Sequence, residues 1–219
     1  YNAEQSGKVL FLSGIPAFLM MPILPFLLGK VNIRWMVLCG LVCFATSCFL
    51  DTDLTAQSSG TNFVVSQLLR GFGQILSFMP LNQASVGSVS REDAGDAAGL
   101  YNMARNLGGS MGLSLLGIFI DRRVEAHSDA IRETVNANSP LVQDHIASQA
   151  AGFAGPGGDL AYGRMQALRA LSGTIHQQAM VITYSECFWV LGVALLAMMP
   201  LILLLRPPPR GAPPSMEAH

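Results

Sequence analysis

From Val9 to Gly29 the chain runs for 21 residues without a charge. At about 1.5 Å per residue, such a helix crosses the roughly 30 Å hydrocarbon core of a bilayer. Few architectures can use a run like this, and the pattern recurs. Trp35–Leu50 is a second uncharged block. Asn62–Val89 is interrupted only by Arg70, and Ala97–Ile120 only by Arg105. Ala179–Leu205 is a fifth block, with Glu186 as its one charge. In lipid every backbone N–H and C=O must be satisfied within the segment, which leaves helices or a closed barrel. Blocks of this length predict an all-α membrane protein, a polytopic bundle of five transmembrane helices.

Composition agrees. Charged residues make up 12% of the chain, against about 25% in an average soluble domain. A net charge of −1 offers no electrostatic footprint for nucleic acid. Cys39, Cys43, Cys48 and Cys187 all lie in apolar blocks. Cys39 and Cys43 share a helix face, but no third ligand stands at metal spacing, so they read as small packing residues. The chain begins at Tyr1 and enters an apolar block without the charged leader of a signal peptide. The missing initiator Met suggests a fragment whose N-terminal part is absent.

The predicted organisation is four spans within 1–120, at about 9–29, 35–52, 62–89 and 95–120. A long loop with surface helices follows at 121–178, then a last span at 179–205 and a disordered tail at 206–219. Pro16, Pro22 and Pro25 predict a kink in the first span. The loop divides into helices at roughly 121–150 and 160–178 around the breaker Gly152–Gly158, the second either separate from the last span or continuous with it. Lys30, Arg34, Arg91, Arg206 and Arg210 flank one side of the membrane and only Lys8 the other, which puts the tail in the cytoplasm and the long loop outside. The five arginines of the long loop run against that count, but loops near 60 residues report orientation poorly.

An arginine at membrane depth is costly unless it faces a partner or a polar cavity. Arg105 has Asn102 and Asn106 beside it, and the group reads either as a structural tie or as part of a polar pathway. Arg70 lies nearer its span's end and reads as a snorkelling or paired residue. Glu186 is its expected partner, as an outer-side gate or ion pair. Gly108, Gly109, Gly112 and Gly117 form a small-residue face at helical spacing, a helix-packing seam of the kind that lets helices approach closely in lipid. Gly108–Gly112 also fits the G-x-S-x-G nucleophile pattern, but it lies inside an apolar helix without a His partner, and we assign no enzymatic role. His127, His145 and His176 lack metal spacing and read as solvated.

Three stretches carry a family resemblance: Leu69-Arg-Gly-Phe-Gly73, Pro80-Leu-Asn82, and the run from Arg91 through Asp96, Asn102 and Arg105 to Gly112. They resemble the 14-helix drug:proton antiporters of the major facilitator superfamily, the EmrB/QacA group. The exit Asp121-Arg-Arg123, the long loop and the last helix are also similar. The resemblance implies that the five spans are the last five of fourteen, in a bacterial inner membrane. It further implies export of small hydrophobic or amphipathic compounds by alternating access, with the proton gradient as energy source and no cofactor. Its EmrB-like members imply a periplasmic adaptor and an outer-membrane channel as partners, besides membrane lipid. The family's main loop signature and its best-supported proton carriers lie in the missing half, so no proton-coupling residue is assigned. Gly29–Arg34 resembles a degenerate copy of the signature without its acidic residue.

On this reading Gln74, Asn82, Asn102, Arg105 and Asn106 line or brace the substrate pathway, and Phe72 and Phe78 offer it apolar contact. Two alternatives stay open. One is a membrane scaffold that docks a periplasmic partner through 121–178; the other is a facilitator-type exporter of lipid or siderophore.

Overall fold

The computed structural model describes residues 3–53, 63–90, 92–135, 140–155, 158–202 and 204. The proline-rich tail, Gln57–Gly60 and the flanking charges Arg91, Arg206 and Arg210 lie outside the described residues. Among the described residues seven helices follow in order: α1 (Ala3–Met20), α2 (Leu24–Lys30), α3 (Ile33–Leu50), α4 (Val64–Val86), α5 (Ala94–Thr134), α6 (Pro140–Ala154) and α7 (Leu160–Ile202). The chain divides into two compact units. One comprises 1–52, 59–112 and 188–219, the other 53–58 and 113–187.

By length and apolarity α3 and α7 are able to cross a membrane, and α1 with α2 makes a third span if the bent pair counts as one. The bend is 55° and falls at the Met21–Ile23 break. Pro22 lies in that break and Pro25 opens α2, where the missing N–H costs nothing. Pro16, by contrast, is accommodated inside α1. α4 and α5 are more polar. They are the helices that carry Arg70, Gln74 and Asn82, and Asn102, Arg105 and Asn106.

The first unit is organised by the antiparallel crossing of α3 and α4. Ile33, Val37, Gly40, Phe44, Ser47 and Asp51 follow one another at steps of four and three, and so do Ser66, Arg70, Gly73, Ser77, Pro80 and Ala84. Such spacing keeps one stripe of each helix facing the other. At the middle of the crossing the backbones touch. A Cβ on Gly40 would stand 2.9 Å from the Gly73 carbonyl oxygen, and a Cβ on Gly73 would stand 2.7 Å from the Gly40 carbonyl oxygen and the Phe44 nitrogen. In lipid, where packing rather than water exclusion drives helix association, small residues are what permit this approach. α1 sits on α4 by the same device, because a Cβ on Gly71 would overlap the Ser13 carbonyl. Leu24, Met36 and Leu76 close one apolar cluster, and Ile33, Val37, Ala84 and Ile202 another.

The expected packing seam on α5 has no neighbour among the described residues. Around Gly108, Gly109, Gly112 and Gly117 a Cβ would meet nothing within 4 Å among the described residues. In the first unit Gly40, Gly71 and Gly73 make the close backbone approach, each with a second helix over it.

In the second unit the first expected surface helix, 121–150, is two pieces. α5 runs on to Thr134, since Asp121–Thr134 has the polar composition of a soluble helix and nothing to break it. α6 follows and ends before Gly155, whose φ of 67° is the left-handed conformation glycine adopts at low cost. The second surface helix is continuous with the last apolar segment, as α7. α6 packs on α7 through Ile146, Ala150 and Ala167.

Candidate functional site

The side chains expected along a substrate pathway divide by helix face. Gln74, Phe78 and Asn82 stand at successive i, i+4 positions of α4, and all three are exposed. Their stripe lies away from the face that meets α3. On α5, Asn102, Arg105 and Asn106 are exposed as well. The two stripes meet where the Arg105 guanidinium lies over the Phe78 ring, 5.1 Å from its centroid. A cation on an aromatic face at that distance is worth about 0.5–1 kcal/mol at an exposed site. This stacking holds a fixed positive charge in an otherwise uncharged wall, with Gln74, Asn82, Asn102 and Asn106 as neutral donors and acceptors. Phe72 does not join them. Two residues from Gln74, it lies about 160° round the helix and is half-buried.

Arg70 and Glu186 were expected to pair; within its own unit each has a different partner. Arg70 Nη2 donates to Asp51 Oδ2 at 2.5 Å, and its guanidinium lies 5.2 Å from the Phe188 ring centroid. The Asp51 side chain is 3% exposed and that of Arg70 22%. Asp51 had been read only as the stop of the second span. Its place follows from the seam, where one more step along the α3 stripe brings it to the Arg70 end of α4. Arg70 Nε and the neighbouring Gln67 Oε1 are buried without a hydrogen-bond partner, so this pocket of polarity is incompletely satisfied.

Glu186 is held by the long helices of the second unit. Arg123 Nε and Nη2 donate to its two carboxylate oxygens, each at 2.7 Å, the fork geometry that suits arginine to carboxylates. His127 Nε2 lies 3.1 Å from the same carboxylate. His127 is therefore half-buried in an ion cluster rather than solvated, a neighbour that its spacing from Arg123, one helical turn, would have indicated. Among the described residues no group of three or more His, Cys, Asp or Glu side chains is placed to hold a metal ion.

A bundle of apolar helices, a glycine-based antiparallel crossing and an arginine-bearing polar wall describe a membrane transport scaffold. The family model described as Major Facilitator Superfamily matches residues 1–122, and the chain belongs to that superfamily. Among curated proteins, it is 27% identical over 211 residues to the multidrug export protein EmrB of Escherichia coli K12, covering 95% of this chain and 39% of that protein. It is 23% identical over 192 residues to the colistin resistance protein EmrB of Acinetobacter baumannii, covering 88% of this chain and 37% of the relative. The fatty acid resistance protein FarB of Neisseria gonorrhoeae is 23% identical over 208 residues, 95% of this chain and 39% of its own length. The chain thus spans less than two fifths of each of these relatives, which are named for multidrug export, colistin resistance and fatty acid resistance.

Proposed function

We propose that this chain is the C-terminal portion of a proton-coupled exporter of hydrophobic or amphipathic compounds, working by alternating access. The observation that carries the reading is the wall formed by α4 and α5. Its polar groups, with Arg105 stacked on Phe78, stand exposed in a chain that is otherwise apolar. Such a surface suits one side of a substrate cavity whose other side is supplied by the missing N-terminal half. The open glycine face of α5 suits contact with that half. On this reading all five blocks cross a bacterial inner membrane, with the 121–178 region periplasmic and the C-terminus cytoplasmic. The proton gradient drives transport without a cofactor, and a periplasmic adaptor and outer-membrane channel complete the route. Arg70–Asp51 ties the end of α3 to α4, and Glu186–Arg123 ties α7 to α5 along their lengths.

Export assays on the full-length transporter test this with Arg105→Ala and Arg105→Lys. Alanine should abolish export of an amphipathic dye, and lysine, which keeps the charge but not the planar stack, should reduce it. Unchanged export in both variants at equal expression overturns the assignment. A docking role for 121–178 is the second reading, favoured by the separate core that α6 and α7 build from Ile146, Ala150 and Ala167. It predicts that deleting α6 spares dye binding and abolishes only adaptor capture.

A further inference from the structure

The second unit holds a cleft that neither the wall nor the ion cluster uses. Asp121, Glu125 and Asp129 occupy successive turns of one face of α5, and His176 and Met180 line the opposite side from α7. The volume is about 400 Å³, within the range of roughly 300–1,000 Å³ found for small-molecule sites. Asp129 is engaged by Arg132 at 3.4 Å. Asp121 and Glu125 have no counter-charge within ion-pair distance among the described residues. Two uncompensated carboxylates one turn apart repel each other, and a cation between them would relieve that repulsion.

Acidic side chains on a helix do not by themselves make a site. Here the floor of the cleft supplies a second observation. Ser128 is only 6% exposed, it lines the cleft, and its Oγ has no hydrogen-bond partner. Buried hydroxyls are nearly always bonded, so an orphan in the wall of a cavity marks a place for a ligand's polar atom. Arg132 lines the cleft beside its partner Asp129, and Ile120, Val124 and Met180 are the apolar part of the lining. A bare metal ion would have no use for those three.

We propose that this cleft binds an amphipathic organic cation. Its charged head lies between Asp121 and Glu125, Ser128 Oγ meets a polar atom of the ligand, and its apolar body rests on Ile120, Val124 and Met180. The site is separate from the α4–α5 wall and does not depend on the export reading, because equilibrium binding tests it without transport.

The test uses the intact protein in nanodiscs of zwitterionic lipid, with tetraphenylphosphonium as probe and flow dialysis to isolate the saturable component. Asp121→Asn combined with Glu125→Gln should weaken that component about tenfold. Ser128→Ala, which removes one oxygen without disturbing the helix, should weaken the binding of a hydroxyl-bearing quaternary ammonium about threefold. Glu133→Gln, an acidic position of α5 outside the cleft, should leave both unchanged. The proposal is overturned if the double variant binds tetraphenylphosphonium within twofold of wild type.

Discussion

Replacing Gly73 with alanine puts one methyl group into the α3–α4 crossing. That methyl would lie 2.7 Å from the Gly40 carbonyl oxygen and the Phe44 nitrogen, and 2.8 Å from Phe44 Cβ. Carbon atoms in good contact are about 3.5–4.0 Å apart, so the helices must separate by something near 0.8 Å at this point. The Gly40 oxygen and the Phe44 nitrogen are backbone atoms, which cannot rotate away. The displacement is therefore transmitted along the stripe to Val37 and Ala84 on one side and to Asp51 and Arg70 on the other. Overpacking of this kind costs about 1–3 kcal/mol. For a chain of about 200 residues that lowers Tm by about 2–12 °C. The free cysteines make the measurement direct. Cys48 and Cys187 are buried while Cys39 is exposed, so a thiol-reactive fluorophore reports unfolding as the buried pair becomes reactive. Gly108→Ala is the internal comparison, because a methyl there meets nothing within 4 Å and alanine is the better helix former by about 0.8–1 kcal/mol. It should leave Tm unchanged or raise it. A Gly73→Ala protein within 1 °C (about half the smallest shift worked above) of wild type, or a Gly108→Ala protein equally destabilised, refutes the reasoning that assigns the close approach to α3 and α4.

Three further outcomes follow from the ion pairs and from Gly155, the left-handed glycine among the described residues. Asp51→Asn alone should destabilise by about 3–5 kcal/mol, since it strands Arg70 in a buried position, whereas Asp51→Asn with Arg70→Gln should cost less than Asp51→Asn does; a thermal double-mutant cycle reads the difference. Glu186→Gln removes the negative charge that faces Arg123 and His127, but the Arg123 side chain is 45% exposed, so the loss in Tm should correspond to only about 0.5–1 kcal/mol and shrink further in high salt. Gly155→Ala forces a φ of 67° on a residue with a Cβ, and should destabilise the α6 end by about 1–2 kcal/mol, visible as faster amide exchange in α6 than in α3.

The helical membrane character was legible from single residues and their spacing, because an uncharged run of twenty residues has so few physical solutions. The break near Pro22 was legible for a similar reason, as was the end of α6 at its glycines. The candidate wall was half legible. Arg105 with Asn102 and Asn106 stood out as polar groups in an apolar run. Its stacking on Phe78 depends on which face of α4 is left open once α3 and α1 are in place. Phe72 was grouped with Phe78 by composition, although helical periodicity already separates them.

Partners were the least legible feature. Arg70 and Glu186 looked matched because they were the isolated opposite charges of their segments. Asp51, at a helix end, looked like a mere stop signal. The stripes at steps of four and three carry the correction in the sequence itself, but only once α3 and α4 are known to run antiparallel with Gly40 against Gly73. The glycines make the same point. Those of α5 form the more conspicuous pattern, yet they meet nothing here, while Gly40, Gly71 and Gly73 hold the unit together. Local sequence determines which residues are apolar, small or charged and at what period, because those properties act within a turn or two of helix. Which small residue lies under another helix, and which charge finds which, is decided by contacts between residues tens of positions apart, and so by the tertiary structure alone.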